Sequence, residues 1–227
     1  MKTTLLALLA LSSAALANPE IASIIAQEYG AATSDGILLL QSGASTAEPQ
    51  QWHVYARDPF RAGEIVRAEL SQQGRSWGAK PGGAGTNLLQ ATPAGVIPFS
   101  RVKFRSSEVR GIASRAAVDA KTSFAAIEYQ LAVNNPDGAP EWGLALLDTA
   151  GVEVGFLLIS AETGAINHQQ WGGQTVAAPE ATGKRAPGEK GARAAQEVKN
   201  AARHAWNWTD GARQETKSFF KKLFSRD

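Results

Sequence analysis

The chain has no cysteine among its 227 residues. That excludes disulfides, thiolate metal ligands and a cysteine nucleophile, so the fold must be held by its core. It also argues against a lipid-modified cysteine behind a leader. Histidine is scarce, with His53, His168 and His204 far apart in sequence. No His-Glu-x-x-His and no Gly-x-Ser-x-Gly occurs, so neither a zinc protease helix nor a nucleophile elbow can be built. His53 and His168 could meet in space, but nothing local to either suggests a metal site, and both read as partly exposed surface residues. The glycine-rich stretch Pro81-Gly-Gly-Ala-Gly85 is followed by Thr86-Asn87, with no lysine where a phosphate-binding loop needs one. Residues 74–95 therefore read as a mobile loop. The residues predict no catalytic set, no metal and no cofactor. An unrecognised extracytoplasmic enzyme is kept as one alternative.

What is present at the N-terminus is a targeting pattern. Lys2 gives a short positive region, residues 5–11 an apolar run too short to span a bilayer, and Ala15-Leu16-Ala17 a small-x-small cleavage rule. Residues 1–17 are expected to be a signal peptide, and the mature chain to be exported to a periplasmic or extracellular setting. No later stretch is long and apolar enough for a membrane helix. Charge is unevenly spread. Residues 18–183 carry 11 Lys and Arg against 16 Asp and Glu, a net of −5, whereas residues 184–227 carry 11 against 5, a net of +6. An acidic body precedes a basic tail.

The body alternates helix and strand signals. Asn18-Pro19-Glu20 opens a helix whose apolar stripe is Ile21, Ile24, Ile25 and Tyr29. Residues 37–40 form a buried strand. Trp52, Val54 and Ala56 alternate with His53, Tyr55 and Arg57, and Val66, Ala68 and Leu70 alternate with Arg67 and Glu69. Residues 96–105 resume strand character. Ser106 or Ser107 caps a second helix with a stripe of Val109, Ile112, Ala113, Ala116, Ala117 and Ala120, while Arg110, Arg115, Asp119 and Lys121 face water. Strands follow around Ile127–Val133, Trp142–Leu147, Val152–Leu158 and residues 165–171, with turns at Asp148-Thr-Ala-Gly151 and Ala161-Glu-Thr-Gly164. Trp52 and Trp142 stand 90 positions apart, as do Asp58 and Asp148, and Gly74 and Gly164. This suggests a duplicated supersecondary unit. The tryptophans alternate with aliphatic residues and read as core, and the two aspartates as turn residues rather than general acids.

The second half resembles the PepSY domain family. The resemblance rests on a helix followed by Trp142-x-Leu-x-Leu-x-Asp148, Gly151-Val-Glu-Val-Gly155 and Ile159-Ser-Ala-Glu-Thr-Gly164-Ala-Ile166. It covers about 150 residues at most, and its motifs are structural. It implies an α+β fold of one helix on a three- or four-stranded antiparallel sheet; with the repeat this gives two tandem units, to which the spacing of the tail, a departure from the family, adds a C-terminal amphipathic helix. The units would be residues 18–94 and 95–171. The resemblance also implies an extracytoplasmic binding or inhibitory role, with a secreted protease as one class of partner. It brings no catalytic residues.

Residues 172–191 are rich in Gly, Ala, Pro and Thr and read as a flexible linker. In residues 192–227, Ala195, Val198, Ala202, Ala205, Thr209, Ala212, Thr216, Phe219 and Leu223 recur at alternating spacings of three and four. That is one narrow helical stripe, thin until Phe219, Phe220, Leu223 and Phe224 concentrate its hydrophobicity. Lys217, Lys221 and Lys222 surround these, and Trp206 and Trp208 are aromatics suited to an interface. Membrane or partner binding is assigned to these nine residues, on an anionic membrane surface or on a protein. Nucleic acid is not expected, because the basic residues spread around the helix. The sequence thus reads as an exported, non-enzymatic binding module. A structural or stress-protective envelope protein acting through its tail is the other alternative.

Overall fold

The computed structural model describes residues 18–73, 76–86, 88–135 and 137–172. The expected signal peptide, nearly all of the linker, and the tail with Trp206, Trp208, Lys217, Phe219, Phe220, Lys221, Lys222, Leu223 and Phe224 lie outside the described residues. Among the described residues no helix is long and apolar enough to cross a membrane.

Strands dominate the described body, and eight of them come together in one antiparallel sheet. The strands are β1 (Ile37–Gln41), β2 (Gln51–Arg57), β3 (Ile65–Gln73), β4 (Ser76–Gly85), β5 (Ala126–Val133), β6 (Pro140–Leu147), β7 (Glu153–Ser160) and β8 (Ile166–Trp171). Their order is β4-β3-β2-β1-β5-β6-β7-β8. Among the described residues three α-helices accompany the sheet: α1 (Asn18–Tyr29), the short α2 (Ala31–Asp35) and α3 (Ser106–Asp119). This corrects the expected fold class of two tandem units, each one helix on its own three- or four-stranded sheet. The sheet is continuous, because Leu39, Leu40 and Gln41 of β1 pair with Ala132, Leu131 and Gln130 of β5. Without that pairing, β1 and β5 would each leave a row of unpaired backbone groups at an edge. Every residue of β1 is buried. Such a continuous apolar run marks a strand covered on both faces and flanked on both sides.

One face of the sheet carries the main core. Trp52, Val54, Leu70, Ile127, Tyr129, Leu131, Trp142, Leu144 and Leu157 meet Ile21 and Ile25 of α1 and Val109, Ala113, Ala116 and Ala117 of α3. The two tryptophans are buried, as their alternation predicts, but they do not sit in separate cores. Their ring centroids lie 6.0 Å apart, and Tyr129 completes a cluster at 6.2 Å from Trp52 and 6.3 Å from Trp142. Such tilted and edge-on contacts are favoured by ring quadrupoles. Trp142 Nε1 donates to the Phe104 carbonyl at 2.8 Å, which satisfies its polar atom and ties β6 to the segment before α3.

Two local expectations change. Residues 76–85 form an edge strand rather than a mobile loop. β4 pairs with β3 from Gln73–Ser76 to Ile65–Gly85, with a register shift between Arg67 and Ala68 that falls at Pro81–Gly83. Proline lacks an amide donor and is tolerated at such an edge bulge. A Cβ on Gly82 would lie 2.8 Å from Arg67 Nε and 3.1 Å from the Arg67 carbonyl, so Arg67 would have to shift. Residues 96–105 form no strand. They hold a 3₁₀ turn at Phe99–Arg101, and Ile97 and Val102 join the helix-side core. The start of α3 also differs from expectation. The Glu108 carboxylate accepts from the Arg105 amide at 2.7 Å, whereas Ser106 Oγ donates to Glu48 Oε2 at 2.6 Å.

Candidate binding face

Alternation places the other half of the strand residues on the face opposite α1 and α3. Cross-strand partners define it: Tyr55, Leu39 and Ala132 lie side by side, as do His53, Gln41, Gln130, Gly143, Leu158 and His168. A further row holds Glu128, Ala145, Phe156 and Gln170. The register shift between Ile37 and Leu39 sets both Leu38 and Leu39 toward this face, while Ile37 and Leu40 stay in the main core.

A second apolar cluster forms here from Leu38, Leu39, Tyr55, Ile65, Leu89, Ala132, Phe156 and Leu158, with Leu88 and Ala145 against it. No residue of α1 or α3 belongs to it. Its members outside the strands are Leu88 and Leu89, on the connection after β4. That connection closes over one end of the face. Ala94 N donates to Val133 O at 2.9 Å, and Ile97 N donates to Ile37 O at 2.8 Å. Phe156 lies two strands and four residues from Ala132, roughly 15 Å away. Phe156 and Leu158 are nonetheless each only 7 % exposed.

Polar residues punctuate this face. Glu141 is buried, and its Oε1 accepts from Asn167 Nδ2 at 2.6 Å. Glu69 pairs with Lys80 at 3.0 Å, and this hydrogen bond holds its carboxyl below the usual carboxylate range. His53 and His168 share the face but stand five strand spacings apart, about 24 Å, so they do not meet. Among the described residues no group of three His, Asp or Glu is placed to hold a metal ion.

A second polar constellation lies on the helix side. Arg110 of α3 does not simply face water. Its Nη2 donates to Thr46 O at 2.6 Å, its Nη1 reaches Ala47 O and Tyr129 Oη at 3.4 Å, and its guanidinium lies 5.9 Å from the Phe124 ring centre. With Ser106 on Glu48, this fastens α3 to the β1–β2 connection. Burial pushes the Tyr129 hydroxyl up to about 12, against the opposing pull of Arg110. These groups satisfy one another within the fold, so the cluster serves as a brace.

The turn residues act as their spacing predicts. Asp58 Oδ1 accepts from the Phe60 and Arg61 amides, and Asp148 Oδ1 from those of Ala150 and Val152. Gly164, singled out in the family-like closing turn, has φ +73, and a Cβ there would lie 2.6 Å from the Phe104 ring. Sequence reasoning missed the second face, because Phe156 and Leu158 belong to one run, Phe156-Leu-Leu-Ile159, that is apolar on both sides. That continuity was the available signal. Set against known proteins, the chain matches no family model, no curated protein and no solved structure, so the PepSY resemblance finds no support there.

Proposed function

We propose that this chain is an exported, non-enzymatic binding module of the cell envelope that contacts a protein partner through the sheet face opposite α1 and α3. Its basic tail supplies attachment, to that partner or to an anionic membrane surface. The observation that carries the reading is the second apolar cluster, which includes Phe156 and Leu158 and to which α1 and α3 contribute no residue. A sheet face given over only to solvent would be polar at alternate positions. Here the partly exposed Glu128, Gln130, Ala145 and Gln170 lie beside the buried Phe156 and Leu158, a mixture that suits a partner surface. A secreted protease is one partner class that an inhibitory version of this module would take. Full-length protein carrying Gln130→Arg and Gln170→Arg, compared with wild type in a pull-down from the native envelope fraction, tests the reading. The partner captured by wild type should be lost from the variant at an unchanged melting temperature. Equal capture by both would remove the face from the function, and loss of capture on deleting residues 184–227 alone would favour the tail-driven structural protein.

A further inference from the structure

Among aspartyl sequences, Asp-Gly is the one most open to spontaneous isomerisation of the backbone, because glycine leaves the following amide nitrogen unhindered. The chain contains it three times, at 35–36, 137–138 and 210–211. The last lies outside the described residues. The structure gives the other two opposite surroundings.

Asp35 is the last residue of α2, and Gly36 is packed against β2. The Gly36 carbonyl accepts from Arg57 N at 3.0 Å, and a Cβ on Gly36 would lie 3.3 Å from Arg57 O. Ring closure here requires the helical backbone at Asp35 to rotate and the Gly36–Arg57 contact to open. Asp137 is exposed on the connection from β5 to β6. Gly138 has φ +70, and nothing lies within 4 Å of where its Cβ would be. Asp137 Oδ1 accepts from Ala139 N at 3.0 Å. That bond folds the carboxyl over the intervening peptide and draws electron density from Cγ. Gly138 N donates to Asn135 O at 3.1 Å and Gly36 N to Thr33 O at 3.1 Å, so this bond does not distinguish the sites.

We propose that Asp137 is a site of spontaneous isomerisation in the folded protein and that Asp35 is protected from it. The Gly138 amide nitrogen attacks Cγ of the protonated carboxyl. The N–Cγ bond forms, the amide proton is released, and the carboxyl hydroxyl departs as water. Water then opens the five-membered imide. Attack at Cγ restores aspartate. Attack at the α-carbonyl carbon leaves the chain running through Cβ and Cγ, with a free α-carboxylate. The isomer lengthens the turn by one methylene. Its Gly138 carbonyl accepts from Arg101 Nη1 at 3.2 Å before the change, and Arg101 Nη2 holds Glu162 at 2.9 Å. Isomerisation therefore loosens the tie between the β5–β6 connection and the turn after β7.

The test compares the two sites within one full-length protein. Samples stand in mildly acidic buffer at physiological temperature, one folded and one in concentrated guanidinium chloride. Peptides covering each site are resolved, and isoaspartate is scored by methyl transfer from isoaspartyl methyltransferase. In the folded sample, position 137 should gain isoaspartate at least about tenfold faster than position 35, and in the denatured sample the two rates should agree within about threefold. Asp137→Glu should abolish the signal in its peptide, because a six-membered imide closes far more slowly, and should leave position 35 unchanged. Equal or reversed rates in the folded sample, no isoaspartate at position 137, or a signal that survives Asp137→Glu would each overturn the proposal.

Discussion

The two faces of the sheet meet the same requirement in different ways. On one, Trp52, Tyr129 and Trp142 lie under two helices whose own stripes are almost wholly Ile, Val and Ala, and the packing is apolar apart from the brace of Arg110 and Ser106. On the other, Leu38, Leu39, Tyr55, Phe156 and Leu158 alternate with Gln41, Gln130, Glu128 and Glu141, with no contribution from α1 or α3. Small side chains on α3 allow close approach of the helix to the sheet and leave room for the three large rings beneath. The mixed face has no such complement among the described residues. Stability therefore concentrates on the helix side.

That division is most severely tested at Trp142. Truncating it to Ala removes the centre of the aromatic cluster and its bond to Phe104. The expected loss is about 3–5 kcal/mol, a large share of the roughly 5–15 kcal/mol typical of a whole domain. Thermal unfolding would show it, and a soluble Trp142→Ala protein with unchanged melting temperature would mean that the helix side is not where the stability lies.

An intermediate effect is expected from pH. The Tyr129 hydroxyl is raised from 10.0 to about 12, chiefly by burial. Since the folded value exceeds the unfolded one, the protonated form is favoured by folding. Its contribution is fully present below about pH 10 and is lost as pH rises through about 12. Two units correspond to roughly 2–3 kcal/mol. Denaturant titrations between pH 9 and about 12 should show falling stability, and Tyr129→Phe should flatten that part of the curve. A profile identical in wild type and Tyr129→Phe would dissociate the alkaline limb from the core.

The smallest effect belongs to the mixed face. Gln170→Cys should change stability by no more than about 0.5 kcal/mol in denaturant unfolding, because a half-buried edge-strand residue away from the helix-side core has little packing to lose. A loss as large as that of Trp142→Ala would erase the contrast between the two faces.

Much of the local structure was legible because it depends on short-range chemistry. Period-two alternation located β2, β3, β5, β6 and most of β7, and helical spacing located the buried stripes of α1 and α3. Asp58 and Asp148 were readable as turn residues because an Asx side chain can bond amides two residues on. Residues 76–85 were not legible. Glycine and proline are loop formers by themselves, and what makes them a strand is the ladder offered by β3, with Arg67 laid over Gly82. The mixed face was hidden for the opposite reason, since residues 156–159 are apolar on both sides and carry no alternation to show which of them faces away from the helices.

By itself the sequence determined most of the elements, the buried stripes of α1 and α3, the turns at Asp58 and Asp148 and the charge contrast between body and tail. All of these follow from residues within a few positions of one another or from counting. Tertiary structure alone decided that the strands form a single sheet, that Trp52 and Trp142 share one core, and that His53 and His168 never meet. Each of those depends on Leu39–Gln41 pairing with Gln130–Ala132 across about ninety residues of chain. No local period specifies that partner. It is selected because two inner strands with unpaired edges and apolar side chains lose most by remaining apart.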